Sequence, residues 1–172
     1  MNETTSTEEV LIEAVQVGKV FYQQSSFAGV GNRKFVRAVD RVSLSIFCGE
    51  IMGLVGESGC GKTTLGRLLV RLENPSVGKI FFNGEDITHL RGGRMRRQRR
   101  QMQIIFQDHS SSLNPRFTLR ETLTEAVRVH RSRLSRQELN GRLAALLAMV
   151  GLNSSVLDKF PKELPGGKRQ NV

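Results

Sequence analysis

The octet Gly56-Glu57-Ser58-Gly59-Cys60-Gly61-Lys62-Thr63 sets two glycines five positions apart, then a lysine and a hydroxyl residue. That spacing suits the holding of a nucleotide's phosphates. Glycines let the backbone curl until successive N–H groups point inward at phosphate oxygens. Lys62 supplies a point charge for the β- and γ-phosphates, and the Thr63 hydroxyl is placed to ligate Mg²⁺. Gly56, Ser58, Gly59, Cys60, Gly61 and Thr64 complete the phosphate-binding set, with a nucleotide and Mg²⁺ as the expected ligands. Chance would produce such a match about 0.01 times in a chain of this length and composition, so the loop is read as functional. Cys60 has two readings, a redox-responsive thiol or a passive small residue between glycines.

Such a loop needs a strand leading in and a helix leading out. Ile51-Met52-Gly53-Leu54-Val55 is wholly apolar, which predicts a short strand covered on both faces, as in a parallel α/β sheet. Residues 62–72 predict a helix whose positive N-terminal dipole adds to the phosphate site. Upstream, residues 10–17 predict a strand and residues 23–34 a loop. Val42, Leu44 and Ile46 alternate with polar residues, the period of a half-buried strand. Residues 79–82 and 103–106 predict further strands. After Gln107 the pattern turns helical: Thr118-Leu-Arg-Glu121 and Ser135-Arg-Gln-Glu138 both have capping-box spacing, and Gly151 stands where a left-handed C-terminal cap is wanted.

At 172 residues and 38% hydrophobic, the chain has the size of one domain and is too apolar for disorder. No apolar run approaches the ~20 residues a bilayer requires, and the acidic, polar start is unlike a secretory leader. Cys48 and Cys60 stand twelve apart without a paired motif, so neither a zinc site nor a disulfide framework is indicated, and a reducing cytosol is expected. The net charge is +10, with Arg91, Arg94, Arg96, Arg97, Arg99 and Arg100 concentrated in ten residues. That run reads as a solvated basic face, with an acidic partner or lipid surface as an alternative. Nucleic acid is not expected as a partner, because no aromatic residue is interleaved for bases to stack on.

Several separated blocks carry a resemblance. Ala38-Val39-Asp40-Arg41-Val42-Ser43-Leu44 through Gly49-Glu50 precedes the phosphate loop; Ile104-Ile105-Phe106-Gln107-Asp108 is followed by Ser112-Leu113-Asn114-Pro115-Arg116; and Pro161-Lys162-Glu163-Leu164-Pro165-Gly166-Gly167-Lys168-Arg169-Gln170 closes the chain. Together with the loop they resemble the ATP-binding subunit of an ABC transporter, most closely the branch importing peptides or nickel, over roughly residues 10–172. The resemblance implies an α/β P-loop NTPase fold: a RecA-like core with an N-terminal antiparallel β part and an α-helical subdomain, the C-terminal part missing. Residues 10–107 would form the β part and core, and residues 108–172 the helical subdomain up to the signature motif. These would make up one incomplete nucleotide-binding domain spanning residues 1–172.

The resemblance also assigns roles. Gln107 would contact Mg²⁺ or the attacking water, making Lys62 and Gln107 the catalytic candidates and Thr63 and Gln107 the metal candidates. Phe21 or Tyr22 would stack on adenine, and Pro165, Gly166 and Gly167 would belong to the signature that meets a second subunit's ATP. Residues 112–117 would face the membrane subunit. ATP hydrolysis would then drive uptake of peptides or nickel through separate permease subunits, with a solute-binding protein acting indirectly. The partner ATPase would be a homologous sibling, and the chain would sit at the cytoplasmic side of the membrane.

Two departures bear on activity. After residue 107 no apolar run ends in paired acids, so the family's Walker B carboxylate and catalytic glutamate have no counterpart, and His89, His109 and His130 all precede the signature. The signature itself reads Leu164-Pro165-Gly166-Gly167-Lys168, where the family usually has Leu-Ser-Gly-Gly-Gln. The expectation is an ATPase by resemblance whose 172-residue chain is inactive alone. The alternatives are a non-hydrolysing ATP-binding or regulatory subunit and, behind it, a soluble P-loop protein acting on nucleic acid. An unpaired apolar sheet edge is also expected, with a tendency to aggregate.

Overall fold

The computed structural model describes residues 9–22, 34–106, 113–130 and 133–170, in two units divided between residues 103 and 104. Gln107, residues 23–33 of the predicted loop at 23–34, and Ser112 of the permease-facing segment at 112–117 lie outside the described residues.

The first unit is built on an antiparallel sheet of order β2-β1-β3-β4: β1 Val10–Tyr22, β2 Phe35–Phe47, β3 Val77–Phe82 and β4 Glu85–Asp86. Both long strands exceed their predicted cores, because β1 pairs along most of its length with β2 and over its first half also with β3. The strand period breaks where β1 bulges between Ala14 and Val17; Gln16 takes a left-handed φ of 51° there, and its N–H donates to Ser43 Oγ at 2.9 Å. The bulge lets Ala14, Val17 and Gly18 all turn inward. Ile80 and Phe82 alternate inward from β3 in the regular way, and Leu65 and Leu68 of helix α1 (Lys62–Leu69) pack on the same core with Ile87.

A buried arginine holds the end of α1. Arg71 is 4% exposed and donates from Nε to the Ile87 carbonyl at 2.8 Å and from Nη1 to Asn74 Oδ1 at 2.7 Å and the Glu73 carbonyl at 3.2 Å. Burial, then the neighbouring guanidinium groups of Arg99 and Arg91, pull its pKa below the ordinary arginine value. Arg99 in turn donates to the Arg71 carbonyl at 2.6 Å, tying in helix α2 (Gly92–Arg99), whose one buried residue is Met95. Replacing Arg71 with Met leaves the Ile87 and Glu73 carbonyls without this donor. The expected cost is about 2 kcal/mol, seen as a lower urea midpoint at unchanged slope. An unchanged midpoint would refute this bracing role.

The second unit is helical: α3 (Leu119–His130), α4 (Arg136–Met149), short 3-10 turns at Ser154–Val156 and Pro161–Glu163, and α5 (Gly166–Gln170). Both expected capping boxes are present. Thr118 N–H donates to Glu121 Oε2 at 2.7 Å while Glu121 N–H donates to Thr118 Oγ1 at 3.3 Å, and Ser135 and Glu138 exchange the same pair at 2.8 and 3.2 Å. Gly151, at φ 69°, turns the chain after α4 so that Leu152 joins Leu119, Leu143, Leu147, Val156, Leu157 and Leu164 in the core. Arg120 grips Asp158 through Nε–Oδ1 at 2.8 Å, and this bond holds the Asp158 carboxyl below the usual carboxylate range. No helix among the described residues is long and apolar enough to cross a membrane.

Two predicted strands are corrected. Residues 51–55 and 103–106 have no strand partner among the described residues, and the helix predicted for 62–72 stops at Leu69. Ile51 is 98%, Val55 94% and Ile105 84% exposed. An apolar run becomes a strand only when a neighbour completes its ladder of N–H and C=O groups, and hydrophobicity alone supplies no such neighbour. Among the described residues the sheet is therefore the antiparallel β part, with no parallel strand in it. The exposed run is an apolar surface of the kind that aggregation exploits.

Candidate functional site

The phosphate loop curls as its glycines demand. Gly59 and Gly61 take φ of 83° and 98°, and Gly61 forms the left-handed N-cap of α1. Gly61 is also sterically required: a Cβ there would lie 2.1 Å from the Ala38 carbonyl oxygen. The loop therefore rests on β2, although the strand expected to lead into it is missing.

No side chain caps α1 and no acid lies in its first turn, so the N–H groups at its start are available to an anion. Lys62 folds back across the loop: its ammonium donates to the Gly56 carbonyl at 2.7 Å and to the Glu57 carbonyl, with Cys60 Sγ at 3.5 Å. The group thus braces the curl from inside. Ser58, Cys60 and Thr63 are exposed, and Thr64 is half-buried. This combination of a curled backbone, open N–H groups and one inward cation fits a polyphosphate.

Phe21 and Tyr22 end β1 and pair with Val36 and Phe35. Phe21 thus lies across from a β2 residue two positions from Ala38, the residue that backs Gly61, so the sheet brings the aromatic pair and the loop onto one stretch of β2. Lys19, which sequence reasoning did not single out, places its ammonium 4.9 Å from the Phe21 ring centroid while pairing with Glu73 at 3.0 Å. Tyr22 is the more exposed ring, at 70% against 40%. A cleft of about 410 Å³ opens along the same strands beside Lys19, Arg37, Val39 and Arg41.

A Mg²⁺ ion at this loop would take the Thr63 hydroxyl, which is exposed at the start of α1. Among the described residues no group of three His, Cys, Asp or Glu could hold a metal. The donor set suits a magnesium ion that keeps its waters and phosphate oxygens as the remaining ligands.

The signature-like residues lie in the second unit. Pro165 stands immediately before α5, and its carbonyl accepts from Lys168 N–H at 2.9 Å and Arg169 N–H at 3.1 Å. Gly166 and Gly167 open the helix, with no acidic side chain in its first turn. Buried Leu164 anchors the segment. The structure thus joins the loop and aromatic candidates in one unit, places the signature candidates in the other, and leaves Gln107 undescribed.

Comparison with known proteins extends these observations. A family model described as ABC transporter matches residues 39–172. The chain is 42% identical over 172 residues to the oligopeptide transport ATP-binding protein AppF of Bacillus subtilis, covering 98% of this chain and 51% of that protein. It is 43% identical over 151 residues to the nickel import ATP-binding protein NikE of Shigella boydii, covering 88% of this chain and 55% of that protein. The chain thus spans about half the length of these relatives. A solved dimeric bacterial ABC transporter cassette superposes with a TM-score of 0.75 over 94% of this chain and 66% of its own, at 24% identity, and shows that the fold is shared.

Proposed function

The chain belongs to the ABC transporter family, and from that membership we propose that it forms the ATP-binding part of an importer's energy-coupling subunit. ATP binding and hydrolysis would drive peptides or nickel through separate membrane subunits at the cytoplasmic face. The observation that carries this reading is Lys62 directed into a curled glycine loop at the open start of α1. Lys62 neutralises the β- and γ-phosphates, the N–H groups at the start of α1 orient them, and Thr63 offers its hydroxyl to Mg²⁺. When bound, the ion supplies charge stabilisation at the transferring phosphate. Gln107 positions the metal or the water, and Phe21 or Tyr22 stacks on the adenine. Gly166 and Gly167 offer backbone N–H groups to the nucleotide of a second, homologous ATP-binding subunit. A second reading, ATP binding without hydrolysis, is favoured by Pro165, which lacks both the hydroxyl and the N–H of a serine.

The test is uptake. Cells deleted for this coding region are expected to lose accumulation of a labelled oligopeptide or of nickel, and to regain it with the wild-type sequence. Unchanged uptake of both solutes would reject the importer reading.

A further inference from the structure

We propose that the outward face of α2 is an electrostatic docking surface for the anionic headgroups of a phospholipid bilayer. The run of six arginines does not act as one unit. Arg94 lies 3.5 Å from Glu85, which also accepts from Gln98, and Arg99 donates to the Arg71 carbonyl. These bonds turn one side of α2 toward the sheet unit, with Met95 as its buried contact. At about 100° per residue, Arg96, Arg97 and Arg100 fall on the opposite side. All three are exposed, and none of their guanidinium groups has a hydrogen bond or ion pair among the described residues. Three guanidinium groups without counter-charge therefore stand within about one helical turn.

The chemistry of that face selects its partner. Guanidinium forks pair bidentately with phosphate oxygens. The face has no aromatic or large apolar side chain, so it lacks the anchors around which protein interfaces are built, the platforms on which bases stack, and the wedge by which amphipathic helices enter acyl chains. A plane of headgroups needs none of these, since juxtamembrane basic clusters adsorb to it by charge alone. The choice of a bilayer over another anionic surface rests on the reading that this protein works beside a membrane. Adsorption through α2 would hold the nucleotide-binding unit at the bilayer independently of its permease contacts.

The test is co-sedimentation of the full chain with phosphatidylcholine vesicles, with and without phosphatidylglycerol. Binding is expected only to the anionic vesicles and is expected to fall steeply with salt. The Arg96→Ala/Arg97→Ala/Arg100→Ala variant is expected to partition about tenfold or more weakly, whereas the triple Lys variant retains binding. A control, Arg128→Ala/Arg136→Ala/Arg142→Ala, removes the same charge from exposed positions on α3 and α4 and is expected to bind like wild type. Circular dichroism confirms that each variant is folded. Equal binding to neutral vesicles, equal losses in the two Ala triples, or arginine-dependent binding of duplex DNA without vesicle binding would overturn the proposal. Lys62→Ala separates this proposal from the nucleotide assignment, because it is expected to leave vesicle binding intact.

Discussion

Lys62→Ala is expected to weaken MgATP binding by about 10- to 100-fold, the equivalent of one charge-assisted contact to a phosphate. Two causes act together. The ammonium is the cation directed into the loop, and its bonds to the Gly56 and Glu57 carbonyls also hold the curl in which the backbone N–H groups converge. Removing it costs both the charge and part of the preorganisation. The fold is expected to survive, because the core of this unit is made by Leu65, Leu68, Val17, Ile80 and Phe82, and Lys62 is not among them. Isothermal calorimetry with wild type and variant decides the matter. Equal affinities would remove the phosphate-site assignment, and a variant that binds weakly only because it has unfolded would show itself as a lost thermal transition.

The purified 172-residue chain is expected to show no Lys62-dependent phosphate release above background. Phosphoryl transfer requires an oriented water and a fully held Mg²⁺. The described residues offer the metal the Thr63 hydroxyl and no cluster of carboxylates, and the sequence after residue 107 contains no apolar run ending in paired acids. A positioned base contributes typically about 10²- to 10⁴-fold, so its lack alone would bring turnover close to background. Pro165 would add a defect at the composite site proposed with a second subunit. Its ring fits the position just before α5, where its carbonyl serves as a helix acceptor, but it gives nothing to a γ-phosphate. Phosphate release that disappears in Lys62→Ala would refute the expectation and point to an unrecognised base.

What was legible in the residues is what is encoded over short distances. The curled glycine loop spans eight positions, each capping box four, and the Gly151 cap one, and each of these backbone features appears in the structure at the predicted residues. Such features depend on backbone conformation and on partners within a turn of chain, so spacing alone specifies them. Contacts between distant residues were not legible. The need for glycine at 61 comes from a carbonyl at residue 38, the cation beside Phe21 is positioned by Glu73, and Arg71 is buried because the chain returns sixteen residues later with the Ile87 carbonyl. The bulge at Gln16 likewise needed Ser43 across the sheet. Residues 51–55 make the same point in reverse. Their apolar side chains state a preference for burial, but a strand requires a neighbour to accept and donate its hydrogen bonds, and only the assembled sheet decides which segments receive one.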